Sequence, residues 1–87
     1  MLELYQAEGC PHSSSVRETL TDRGLSYVVH NPRRPGDDGG DVLNEQTQQA
    51  MTEIGGDDQI PFLVDTNRGE TIYGSDDIVD YLERREP

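Results

Sequence analysis

Lysine and tryptophan are absent from this sequence, and cysteine and phenylalanine occur once each. All seven basic residues are arginine, set against 18 aspartates and glutamates for a formal net charge of −11. A nucleic-acid surface needs a basic stripe to neutralise phosphates, and no such stripe is present, so nucleic-acid binding is not expected. The lone Cys10 rules out an internal disulfide and hence a disulfide scaffold. No apolar run approaches the ~20 residues that cross a bilayer, so no membrane partner is expected. The N-terminus lacks the basic and apolar regions of a secretory signal, which places the chain in the cytoplasm, where thiols stay reduced. A length of 87 residues is read as one domain, 1–87, with a modest core.

Such acidity has three readings: disorder, a solubilising surface, or adaptation to very high salt. The apolar residues recur with regular periods, which argues against disorder. The missing lysine and the ten aspartates together favour salt adaptation, in which like-charge repulsion is screened over a few ångströms.

What is present reads as alternating strands and helices. Leu2 to Tyr5 is a short first strand, and Gln6 to Gly9 is a loop that presents Cys10. A helix is expected over Ser14–Arg23, with Val16 and Leu20 on one face, Pro11 suited to a first helical position and Gly24 as a stop. Ser26 to His30, β-branched and aromatic, is a second strand parallel to the first, closing a βαβ unit. Asn31 to Asp41 is a loop punctuated by proline and glycine; its glycines lack the spacing of a phosphate loop. A second helix carries Leu43, Thr47, Ala50, Met51 and Ile54 on one face and ends at Gly55-Gly56. Ile60 to Asp65 and Thr71 to Tyr73 form an antiparallel hairpin about Asn67-Arg68-Gly69. Ser75 is expected to cap a last helix that buries Ile78, Val79 and Leu82, with Asp76 and Asp77 in its first turn and Arg84 and Arg85 in its last.

The chemistry-bearing stretch is Gly9-Cys10-Pro11-His12-Ser13, a thiol delivered by a strand to the start of a helix. Unpaired N–H groups of a first helical turn and the positive end of the helix dipole favour thiolate over thiol. The competing reading of Cys10 is a small buried hydrophobe. Cys10 and His12 are too few for a zinc site, so no metal is expected. An arginine six residues after the cysteine would mark a phosphatase loop, but Val16 occupies that place.

Three pieces in order resemble the glutaredoxin family, the short form of the thioredoxin fold. Cys10-Pro11-His12-Ser13 is similar to its Cys-Pro-x-Cys motif with serine for the second cysteine. Ile60-Pro61-Phe62-Leu63 is similar to its Val-Pro segment, and Gly74-Ser75-Asp76-Asp77 to the stretch before its last helix. The same pieces are similar to the N-terminal domain of glutathione transferases, whose activity needs a second, helical domain for which this length leaves no room. The implied fold is α/β, thioredoxin-like, in the order βαβ-α-ββα, with a four-stranded mixed sheet and three helices.

The resemblance implies a thiol–disulfide oxidoreductase with Cys10 as nucleophile. Because Ser13 replaces the resolving cysteine, the route would be monothiol, on mixed disulfides of proteins with glutathione or a related γ-glutamyl thiol. It implies that Pro61 is cis and that the backbone of Ile60 pairs with the bound thiol. It also implies that Ser75 and Asp76 hold the γ-glutamyl end, where a plain helix cap is the alternative. His12 stands where the family has an aromatic residue, either steadying a thiolate or standing by, and His30 is read as structural. No permanently bound cofactor is implied; partners are a low-molecular-weight thiol and thiol-bearing client proteins. The other readings are an iron–sulfur carrier that shares a cluster between two copies and a non-catalytic adaptor. Two positions depart from the family. Ala7, followed by Glu8, replaces a lysine three residues before the cysteine, and Tyr73 replaces the first glycine of a pair. The Glu8 carboxylate is expected to oppose a thiolate.

Overall fold

The computed structural model describes residues 1–34 and 42–84. The elements run β1 (Leu2–Tyr5), α1 (Pro11–Asp22), β2 (Tyr27–His30), α2 (Glu45–Gly55), β3 (Phe62–Asp65), β4 (Glu70–Tyr73) and α3 (Ser75–Arg84). The sheet order is β2-β1-β3-β4. β1 is parallel to β2 with Leu4 opposite Val29, and antiparallel to β3 with Leu4 opposite Leu63. β3 and β4 form the expected hairpin with Leu63 opposite Ile72. This is a four-stranded mixed sheet with three helices in thioredoxin-like order.

Alternation along the strands divides the core in two. Leu2, Leu4 and Leu63 point to one face and meet Val16 and Leu20 of α1 and Ile78 and Leu82 of α3. Tyr5, Phe62 and Val64 point to the other and meet Met51 of α2. A fully buried aliphatic or aromatic side chain contributes about 1.5–3 kcal/mol of transfer free energy, so these eleven side chains carry most of the driving force.

An aromatic ladder crosses the end of the sheet. His30, Tyr5, Phe62 and Tyr73 lie on β2, β1, β3 and β4, directly opposite one another in register. Their ring centroids are 4.5, 5.7 and 4.2 Å apart in that order. His30 Nε2 also lies 2.8 Å from Glu3 Oε1, which makes this histidine a strut between β2 and β1.

Several local expectations need correction. The first helix starts at Pro11, three residues before Ser14, with Cys10 as its N-cap. On α2 only Met51 of the expected face is buried; Leu43 is 54% exposed and Ile54 49%. The helix begins after Asn44, whose side chain caps it by accepting from the Thr47 N–H, so Leu43 lies outside it. Its inward stripe runs through Gln48, Met51 and Gly55, where the absent side chain admits Phe62 and Tyr73. Ser75 is the first residue of α3, and the Gly74 carbonyl accepts the first helical bond, from the Ile78 N–H at 3.0 Å. Gly74, with φ of 89°, therefore sits at the capping position. The loop expected to Asp41 beyond Arg34, its glycines, and Arg85 lie outside the described residues.

Candidate functional site

Two helix starts and one proline turn converge at the end of the sheet marked by the aromatic ladder. Tyr5 leads through the Gln6–Gly9 loop into Cys10; Phe62 follows Pro61; Tyr73 precedes Gly74 and Ser75. Each site segment is therefore anchored by one ring of the ladder.

The Cys10 loop is held from several sides. The Gln6 N–H donates to the His30 carbonyl at 2.9 Å, and the Gln6 side chain donates to Asn31 Oδ1 and accepts from Arg17. The buried Ser13 hydroxyl accepts from the Ala7 N–H at 3.2 Å. Gly9, with φ of 83°, turns the chain into the helix, in a region that a side chain disfavours. Cys10 is a free, half-buried thiol at the N-cap, with its own N–H directed to the Ala7 carbonyl at 3.3 Å. It is therefore not sealed in the core. The Glu8 carboxylate pairs with Arg17 at 3.2 Å, so its charge is partly balanced rather than wholly opposed to the sulfur.

Beside this loop lies an open groove of about 600 Å³, lined by His12, Gln59, Ile60, Pro61, Tyr73, Gly74, Ser75, Asp76 and Asp77. The Ile60–Pro61 peptide bond is cis. The Pro61 carbonyl accepts from the Gly74 N–H at 3.0 Å, which ties the proline turn to the start of α3. His12 Nδ1 and Ser75 Oγ are 3.5 Å apart, bringing the first turn of α1 to that of α3. Of the eight residues singled out in the sequence, His12, Ile60, Pro61, Ser75 and Asp76 share the groove. Cys10 and Pro11 stand at the adjacent helix start, outside its lining. Ser13 is buried behind them and serves the loop as a hydrogen-bond acceptor.

Gln59 and Tyr73 are the lining residues that sequence reasoning did not place. Nothing in local spacing marks Gln59. Tyr73 stood out as a departure from the glycine pair, and its role is now visible. Its ring stacks on Phe62, while its hydroxyl donates to the Asp57 carbonyl at 2.7 Å and accepts from the Asp57 N–H at 3.0 Å. The large ring at 73 is matched by the missing side chain at Gly55. Below the site, burial, and secondarily the charge of Glu3, pushes the Tyr5 phenol above its usual range. Among the described residues no cluster of three or more histidine, cysteine or acidic side chains is placed to hold a metal ion, and no helix is long and apolar enough to cross a membrane.

A cis proline facing a thiol-bearing helix start, on a sheet of this order, defines the thioredoxin-like class in its glutaredoxin arrangement. The chain aligns with the holo form of glutaredoxin C1 from Populus tremula x tremuloides at 25% identity. That match has a TM-score of 0.67 and covers 98% of this chain and 76% of the other. The glutaredoxin from Archaeoglobus fulgidus matches at 19% identity with the same TM-score of 0.67, over 97% of this chain and 86% of that one. The sequence model for the N-terminal domain of glutathione S-transferase matches residues 4–87, and the chain belongs to that family. Among curated proteins no sequence relative matches.

Proposed function

We propose that this chain, as a single domain over 1–87, is a cytoplasmic thiol–disulfide oxidoreductase working by a monothiol route. Its substrate is a protein thiol capped by glutathione or a related γ-glutamyl thiol. The observation that carries the reading is a half-buried free thiol at the N-cap of α1, next to a groove formed by the cis proline turn and the first turn of α3. Cys10 stands at the N-cap of α1 and reacts through its thiolate form. The thiolate attacks the cap sulfur, forming a Cys10–cap disulfide and breaking the cap–client bond. The electron pair leaves on the client sulfur, which takes a proton from solvent. A second small thiol, as thiolate, then attacks the cap sulfur and returns Cys10 as the leaving group, giving a small-molecule disulfide.

The remaining residues position the cap. The backbone of Ile60 before cis Pro61 is offered for pairing, and the first turn of α3 at Ser75 receives a carboxylate. Asp76 receives an ammonium. Ser13 supplies no second thiol and, being buried, holds the loop. No permanently bound cofactor is required.

The test is turnover of a glutathionylated peptide with reduced glutathione in molar salt. Cys10→Ser abolishes turnover, because no other side chain in the sequence can form the mixed disulfide. A Cys10→Ser protein as active as the parent would overturn the assignment.

A further inference from the structure

The groove is unusual in its charges. Among the described residues its lining has two carboxylates, Asp76 and Asp77, and no arginine; with lysine missing from the whole chain, His12 is the one described lining side chain able to become cationic. Among the described residues, the arginines on neighbouring segments are committed elsewhere or line a different surface; Arg33 pairs at 2.6 Å with Asp58, which precedes Gln59. Arg17 pairs with Glu8 and Gln6. Arg68 and Arg84 line a neighbouring cleft with Asp80 and Tyr81 that shares Asp77 with the groove, and there Arg84 is 3.1 Å from Asp80. The α3 helix start can accept one carboxylate through its N–H groups, but among the described residues no arginine in the lining balances a second.

From this charge census we infer that the groove selects the cap on a client thiol by charge, favouring caps with an ammonium and few carboxylates. The inference rests on the oxidoreductase reading and sharpens its substrate class. A cysteamine cap carries an ammonium alone, a cysteine cap an ammonium and one carboxylate, and a glutathione cap an ammonium and two carboxylates. Glutathione is therefore the cap whose second carboxylate meets an acidic wall. Like charges within a few ångströms in a solvated groove repel by an amount that shifts rates several-fold, and salt screens the effect. Glutathione use is thus tied to high salt, where the Debye length is about 3 Å at 1 M. The chemical step is unchanged: Cys10 takes the cap sulfur, the client thiolate leaves, and a second small thiol resolves the mixed disulfide.

The experiment compares one neutral client peptide bearing each of the three caps, with kcat/KM divided by the uncatalysed rate of the same disulfide. In dilute buffer the order is cysteamine, then cysteine, then glutathione, with about tenfold between the extremes. The spread closes to about twofold at 1 M salt or above. Asp77→Asn narrows the spread and Asp77→Glu restores it, which a loss of folding alone would not do. Circular dichroism at each salt concentration keeps the comparison to folded protein. Equal normalised rates, a glutathione preference, or a spread indifferent to salt overturns the charge reading. Binding of the S-methyl forms of the same three thiols, followed by chemical shifts at Gln59 and Ser75, reads the preference without turnover. No turnover of any cap, with the binding order intact, overturns the oxidoreductase reading and leaves the charge selection standing.

Discussion

Gly55→Ala is the substitution that tests the packing under the site. Alanine in a helix is worth about 0.5–1 kcal/mol over glycine, so propensity alone favours the change. The structure reverses that sign. A Cβ on residue 55 would stand 2.6 Å from Tyr73 Cζ and 2.7 Å from Phe62 Cζ, and closer still to the Tyr73 hydroxyl oxygen. Such separations force the ring to move, and overpacking of this kind costs about 1–3 kcal/mol. Moving the ring also breaks the two Tyr73–Asp57 hydrogen bonds, which are exposed and worth about 0.5 kcal/mol each. The propensity gain offsets that last loss, leaving a net destabilisation of about 1–3 kcal/mol. For a domain of this size that lowers Tm by about 4–20 °C. Thermal and urea denaturation measure it directly. Because Tyr73 lines the groove, ligand-induced chemical shifts at Ser75 should weaken in the same variant. In a Tyr73→Ala background the ring is gone, Phe62 has room to shift, and Gly55→Ala becomes neutral or stabilising. The cycle coupling is then at least about 1 kcal/mol. A single Gly55→Ala protein as stable as the parent, or more so, would refute the reasoning.

The other expectations are shorter. Ser13→Ala removes the acceptor of the Ala7 N–H in a buried setting, at a cost of about 1–3 kcal/mol; an unchanged urea midpoint would show that the bond is dispensable. The raised pKa of Tyr5 means that the folded state holds this proton more tightly than the unfolded state, so its contribution is complete below pH ~10 and is lost as pH rises through the folded value. Tyr5→Phe should therefore flatten part of the alkaline decline in stability, measured by denaturation between pH 8 and 11. With a net charge of −11, self-repulsion weakens the fold in dilute buffer, and Tm should climb by several degrees from about 0.01 M to molar potassium chloride. A flat profile would remove salt adaptation as the explanation of the composition.

The order of elements, the parallel βαβ start and the closing hairpin were legible because each depends on local periodicity. Alternation at Leu2–Tyr5 and helical spacing at Val16 and Leu20 are properties of a few neighbouring residues. The three motif pieces were legible through their resemblance to the glutaredoxin family, and seven of their twelve residues meet in one groove. The inward face of α2 was misread because its closest contact is made by a glycine, which hydrophobic periodicity cannot register. The cap of α3 was placed one residue late because Ser75 has the better capping side chain, while the backbone turns at Gly74.

By itself, then, the sequence determined the strand and helix succession, the presence of a single thiol, and the acidity of the chain as a whole. Folding decided what each of those meant. It made Ser13 an acceptor for Ala7 rather than a surface hydroxyl, and paired Glu8 with Arg17. It also brought Gln59 and Tyr73 into the groove beside residues from α1 and α3. The Ser13 and Arg17 contacts lie six and nine residues away in sequence, while His12 and Ser75 are 63 apart. Contacts at such separations depend on how layers stack, and no periodicity within a single segment encodes them.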